Sequence, residues 1–208
     1  LGPVRVNVGL RYRNNSYILS TLDERGEYAP TYLDGQCYLT WDPDGYGPWE
    51  LQALGVYGRN DYSFLPDSRE TNIGTVNQAA RLTVYYDGRE ESGYETGFGA
   101  LAAERRTEQS RIRFIQSVFQ TAERESFDVL GQYFLSELER DPGGDTFDEG
   151  QTFGVGGFLQ HGRNQLWARV VSSALKGSHI LEQHHVEWGI KHRIETFDDV
   201  VSEWNVVD

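Results

Sequence analysis

Four of the five histidines cluster near the end of the chain: His179, His184, His185 and His192. Imidazoles at that density invite a metal centre. As adjacent residues on a strand, however, His184 and His185 point to opposite sides, and His184 and His192 stand too far apart to share an ion. No cysteine assists them and no H-E-x-x-H pattern occurs, so no metal ligand is assigned. The acidic pairs Glu90/Glu91, Glu123/Glu125 and Asp198/Asp199 raise glycosidase chemistry, which needs two carboxylates at a set distance across a sugar. Each pair reads as lying in a loop or at a turn, where charged side chains are solvated. Gly97-Phe98-Gly99-Ala100-Leu101-Ala102 partly mimics a dinucleotide loop, but no ribose-binding acid follows in a βαβ context. With no G-x-S-x-G elbow and no P-loop, the expectation is a chain that is not an enzyme, with no catalytic residue and no cofactor. One further stretch, Asn60 to Gly93, reads as a long loop holding Tyr62, Phe64, Tyr85 and Tyr86. It serves either to capture a ligand, its aromatics stacking on sugars or chelate rings, or to fold onto an aromatic minicore. No individual ligand contact is assigned.

The segments that must position these residues show the two-residue period of strands. In HHVEWGIKHRIE (184–195), Val186, Trp188, Ile190 and Ile194 share one parity; Glu187, Lys191, Arg193 and Glu195 share the other. Val4, Val6, Val8, Leu10 and Tyr12 alternate in the same way with Arg5, Asn7, Gly9, Arg11 and Arg13. Aromatic-rich runs at Thr31–Trp41 and Trp49–Arg59 flank the turn signal Asp42-Pro43-Asp44-Gly45. Gln151–Gln160 alternates again, and Leu166, Ala168 and Val170 do so more weakly. Short connections (WDPDGYGP, ERRTEQS, HGRN, TFDD) take turns with long polar ones at Asp23–Pro30, Asn60–Gly93, Glu123–Gly150 and Lys176–Glu182. Ala100–Glu125 departs from this pattern. It is rich in helix formers, and Ile112, Ile115, Val118, Phe119 and Ala122 sit at helical spacing, so propensity alone reads it as a helix.

Composition narrows the classes. Nineteen Lys and Arg against 32 Asp and Glu give a formal net charge of -13 and no basic run, which argues against nucleic acid as a partner. The single cysteine, Cys37, excludes an internal disulfide and reads as a small half-buried apolar residue. No run of eighteen apolar residues occurs, which excludes a transmembrane helix but not membrane strands, whose alternation keeps mean hydropathy low. The chain begins at Leu1, contains no methionine and ends in strand-like sequence at Val206-Val207-Asp208, so a piece of a longer protein is expected.

Four blocks in order, LRYRNNSYILSTLDERGEY, RLTVYYDGREESGYETGFGAL, ERESFDVLGQYFLSELE and HVEWGIKHRIETFDD, resemble the barrel of TonB-dependent outer-membrane receptors. The likeness is greatest to those with a carboxypeptidase-like N-terminal extension, and it spans nearly all of residues 1–208. It implies an all-β fold: antiparallel transmembrane β-barrel strands, about nine of the roughly 22 that close such barrels, forming a partial, open curved sheet. It implies a strand, a turn at Arg106–Ser110 and another strand where propensity reads a helix. The plug domain and the remaining strands lie outside the chain. The function implied is energy-coupled uptake of a bulky nutrient (an iron chelate, a cobalamin-like compound or a glycan) at the cell outer membrane. Partners would be membrane lipid, the TonB complex acting through the missing plug, the small-molecule or glycan substrate, and a surface lipoprotein. The alternative is a soluble carbohydrate-binding β-sandwich, whose strands would bury their apolar side against a second sheet.

Overall fold

The computed structural model describes residues 3–15, 26–28, 30–43, 47–75, 78–140 and 147–208. Among them every regular element is a strand: β1 (Val4–Asn14), β2 (Gly26–Tyr28), β3 (Thr31–Trp41), β4 (Trp49–Pro66), β5 (Arg69–Thr75), β6 (Gln78–Arg106), β7 (Ser110–Arg140), β8 (Phe147–Leu181), β9 (His184–Val200) and β10 (Glu203–Val207). They form one antiparallel sheet in the order β1-β3-β4-β6-β7-β8-β10, with β2 beside β4, β5 beside β6 and β9 beside β8. Because β9 and β10 pair with successive stretches of β8, they act as one broken strand along a single edge. The chain thus makes seven passes of a simple meander, where the sequence suggested about nine strands.

The described strands form no second layer. Among the described residues the buried apolar side chains are only Val84, Leu138 and Ala168, and the accessible surface is 15018 Å². A compact protein of 23.7 kDa exposes about 9,800 Å². What holds the chain is therefore the ladder of peptide hydrogen bonds and the cross-strand side-chain pairs along it. β6 and β7 stay in register without interruption from Ala79–Leu138 to Arg106–Arg111. Several cross-strand pairs set an aromatic ring over a glycine. Phe127 lies over Gly162, Phe158 over Gly131 and Trp188 over Gly177, each ring filling the space a Cβ would take. Gly88 is required for a different reason: its φ is +109°, and a Cβ there would strike the Asp128 carbonyl.

Several expected connections are strands instead. Asn60–Gly93 is no loop; β4 runs on to Pro66, β5 follows, and β6 begins at Gln78. Glu123–Gly150 is likewise mostly strand, with only 141–146 outside the described residues. HGRN lies inside β8, TFDD inside β9, and Lys176–Leu181 belongs to β8, leaving a tight turn at Glu182–Gln183. Gln151–Gln160 and Leu166–Val170 are parts of the same 35-residue strand. Ala100–Glu125 is strand, turn and strand as the family likeness implied, with β6 ending at Arg106 and β7 starting at Ser110. The helical reading is overturned. Most apolar residues there find an apolar partner across the ladder, as Phe119 does with Phe98 and Val170, while Ile112 stands between Arg105 and Gly177. The tip of the Asp42–Gly45 turn falls outside the described residues, as do 23–25 and 29 of the expected connection Asp23–Pro30, within which Gly26–Tyr28 forms β2.

The strand ends that flank the short connections 42–48, 107–109 and 182–183 all lie at one end of the sheet, and their positions advance regularly. The last pairs before them are Trp41–Leu51, Arg106–Arg111 and Leu181–His184. Followed across the ladder, each lies three residues further along than the one before. Three residues are about 10 Å of strand, and two strand spacings are about 9.6 Å, so the strands lean about 45° from the normal to the line of turns.

At that end sits the one large side chain that is fully buried among the described residues, Glu104, at 1% exposure. It takes a bidentate pair from Arg111 (Nε to Oε1 and Nη2 to Oε2, both 2.8 Å) and a bond from Arg106 Nε at 2.8 Å. Arg113 stands at 3.8 Å and donates to Gln52 Oε1 at 2.7 Å, which ties β7 to β4 across β6. Removing the carboxylate leaves the three half-exposed guanidinium groups without their common acceptor. Glu104→Ala is expected to cost about 2 kcal/mol. Urea unfolding followed by tryptophan fluorescence checks this, with Glu104→Asp expected to recover part of the loss.

Candidate functional site

Residues directly opposite one another in an antiparallel ladder share a face, so the register sorts every strand residue onto one of two sides. One side carries all five tryptophans: Trp41, Trp49, Trp167, Trp188 and Trp204. Near the tight turns this tryptophan face holds no charged side chain over long stretches. Val4 to Asn14 on β1 has none, nor has Trp41 to Thr31 on β3 or Trp49 to Tyr57 on β4. Between Arg105 and Glu95 on β6 stand only Ala103, Leu101, Gly99 and Gly97. β7 shows no charge from Ser110 to Ala122, β8 none from Leu181 to Val171, and β9 none from His184 to Thr196. These side chains are open: Leu10 is 82% exposed, Ile190 69% and Trp188 42%. Cys37, expected to be half-buried, is exposed on this face.

The other side is the tyrosine face. It carries Tyr32, Tyr38, Tyr62, Tyr86, Tyr94 and Tyr133 together with charged and amide side chains. Halfway along, one row across the sheet reads Tyr32, Asn60, Tyr94, Glu123, Leu166, Asp199, and the next reads Tyr62, Ser92, Glu125, Asn164. A hollow of about 450 Å³ opens over these rows. Asn164 Nδ2 donates to Glu125 Oε2 at 3.0 Å and to Glu203 Oε1 at 2.5 Å, closing one side of it. Of the residues that line it, Asn60 has its Oδ1 buried without a hydrogen-bond partner, and Thr96 Oγ1 and Thr121 Oγ1 nearby are buried without one too. Thr96 and Thr121 are directly opposite each other on β6 and β7, one row from Asn60.

The residues first considered for chemistry are not brought together. His179, His184 and His192 fall on the tryptophan face and His185 on the other. His179 stacks on Trp188 at 6.2 Å and its Nδ1 meets Ser110 Oγ at 2.9 Å; His185 Nε2 meets Ser178 Oγ at 2.8 Å. Among the described residues no group of three or more His, Cys, Asp or Glu is arranged to hold a metal ion. All three acidic pairs lie in strands, not in loops or turns, so Glu90 and Glu91 face opposite ways, as do Asp198 and Asp199. Only Glu123 and Glu125 share a face. Gly97–Ala102 is mid-strand, paired on both sides, so its amides are committed to the ladder and cannot cradle phosphate. Of the aromatics between Asn60 and Gly93, Tyr62, Phe64 and Tyr86 lie on the tyrosine face. Tyr85 lies on the other, edge-on to Phe134 at 5.5 Å.

Beyond the uncharged stretch, the tryptophan face turns ionic. Asp128 receives Arg163 Nη2 and meets His161 Nδ1 at 2.5 Å, and His161 stacks on Trp204 at 5.1 Å. The Arg163 guanidinium first, and His161 second, hold the Asp128 carboxyl below its ordinary value. A carboxyl depressed in the folded state stabilises the fold above its ordinary pKa. It loses that contribution as pH falls through the folded value. Arg163→Ala is expected to move the Asp128 titration upward, toward the ordinary carboxylate value, as read by carboxyl carbon NMR.

Comparison with known protein families finds no family model that matches the chain, and comparison with curated proteins finds no match either.

Proposed function

We propose that this chain is wall from the barrel of a TonB-dependent outer-membrane transporter. The tryptophan face meets lipid hydrocarbon and the tyrosine face lines an aqueous passage. The single observation that carries the reading is the uncharged, exposed tryptophan face on a sheet with no second layer. Water is a costly medium for that surface, and exposed apolar area on this scale marks a partner or a membrane. Two further features support lipid as the medium. The lean of about 45° matches that of membrane barrels. On β4 the uncharged stretch opens at Trp49 and closes at Tyr57, eight residues later, before the Arg59–Asp61 pair (2.7 Å). Leaned at that angle, eight residues cover about 19 Å of depth, near the roughly 25 Å apolar band of such barrels. Trp41 and Trp49 near one border and Tyr12 and Tyr57 near the other are the amphipathic rings favoured at membrane interfaces. Strands β6, β7 and β8, at 29, 31 and 35 residues, far exceed the 9–11 that cross a bilayer. The surplus forms paired extensions outside the apolar band.

In this reading no bond is broken. The wall supplies enclosure and a polar lining, and energy arrives through the TonB complex acting on a plug outside this chain. The cargo is a bulky nutrient, and a surface lipoprotein is a natural partner at the outer mouth. A soluble β-sandwich would need its apolar strand faces covered by a second sheet, and none of the described strands supplies one.

The test is to reconstitute the chain in lipid bilayers with Trp188 as its sole tryptophan. Nitroxide groups carried midway along the acyl chains are expected to quench Trp188 strongly, and aqueous iodide weakly. The reverse pattern, or a chain that is monodisperse in plain buffer with Trp188 quenched by iodide, would sink the lipid-facing assignment.

A further inference from the structure

From the tyrosine face we infer that the hollow around Asn60, Tyr94, Glu123, Glu125 and Asn164 binds a neutral, polyhydroxylated ligand, a carbohydrate. The inference gives the transporter its class of cargo and rests on that reading for its biological meaning, while the binding itself is a property of this face alone.

Three observations converge. First, Asn60 Oδ1 lacks a donor, and Thr96 Oγ1 and Thr121 Oγ1 lack any partner, although all three atoms are buried. Buried polar groups are nearly always satisfied, so an unpartnered amide oxygen lining the hollow, with two unpartnered hydroxyls one row away, marks where ligand atoms or ordered water complete the set. An amide oxygen that only accepts, beside hydroxyls that do both, is matched by ligand hydroxyls, which do both as well. Second, Tyr94 is 42% exposed in the same row as Asn60 and Glu123. A partly open aromatic ring beside carboxylates and amides suits a sugar, whose C–H surface packs on the ring while its hydroxyls reach the polar groups. Third, the ionised side chains at the hollow are Glu123, Glu125 and Asp199. Arg124, which also borders it, is of opposite parity and belongs to the tryptophan face. Carboxylates accept hydrogen bonds from vicinal hydroxyls but repel anions, and the net charge of -13 adds to that repulsion. An anionic metal chelate is therefore disfavoured here and an uncharged polyol is not. The volume of about 450 Å³ falls within the range of small-ligand sites.

The experiment is saturation-transfer NMR and calorimetry on the whole chain, folded in detergent micelles. The probes are a panel of neutral oligosaccharides (maltohexaose, xylohexaose, cellohexaose and mannohexaose), with ferric citrate as the anionic and spermine as the cationic comparison. At least one neutral oligosaccharide is expected to bind, with affinity falling tenfold or more in Tyr94→Ala and in Asn60→Ala. The Tyr85→Ala substitution, on the opposite face, is expected to leave binding unchanged. Far-UV circular dichroism of each variant separates lost contacts from lost folding, and Glu123→Gln gives a second, shape-preserving probe. Binding of ferric citrate or spermine alone, no binding by any sugar of the panel at millimolar concentration, or binding indifferent to Tyr94→Ala would each overturn the proposal. Sugar binding by a chain whose Trp188 proves inaccessible to lipid would leave this site standing while removing the transporter reading.

Discussion

A single-layer sheet has no inside, and the rest of this structure follows from that constraint. In an ordinary domain the apolar side chains of one element are covered by another, and backbone pairing comes with burial. Here the peptide ladder must hold the chain with little help from a core, while both faces stay open to whatever surrounds them. The ladder is accordingly long and regular: β6, β7 and β8 are paired along almost their whole length, and register breaks between β7 and β8 appear only beyond Tyr133. The buried Glu104 makes sense in the same frame. It is cross-strand glue, gathering Arg106, Arg111 and Arg113 beside a tight turn, where fraying would otherwise start.

With no interior, side-chain chemistry is free to differ completely between the two faces, and it does. Tryptophan is confined to one face, and most of the described tyrosines lie on the other. A large apolar ring with one weak donor suits the border of an apolar medium, whereas a phenol that both donates and accepts suits a wet, ligand-facing surface. The distinction fades far from the tight turns. There ionic groups such as Asp128 and Arg163 stand on the tryptophan face too, as expected of extensions with water on both sides.

The sequence made part of this legible. The alternation at Val4–Tyr12 and in the stretch around Trp188 identified strands and the side each residue takes, because one face there is apolar and the other ionic. Where both faces are polar, as at Asn60–Gly93 and Glu123–Arg140, alternation disappears, and the pairing that makes these strands comes from partners tens of residues away. Ala100–Glu125 fails for a related reason. Ile112, Val118 and Ala122 serve one face while Ile115 and Phe119 serve the other, so their spacing imitates a helix although the cross-strand partners Phe98 and Val170 settle the matter. The hollow was not legible at all. Asn60, Tyr94, Glu123 and Asn164 are unremarkable in the linear order and meet only through register. The visible clue, two glutamates at i and i+2, reads as loop chemistry in the linear order, whereas β7 carries both on one face. The histidines, conspicuous in sequence, are scattered by the same register.

The regular advance of the tight turns carries a consequence for girth. Strands that stood upright would each occupy about 4.8 Å of perimeter; leaned by about 45°, each occupies about 6.8 Å. The seven passes therefore span about 48 Å of any ring they join, against about 34 Å if vertical. A wide bore needs fewer strands when every hairpin starts three residues further along than its predecessor.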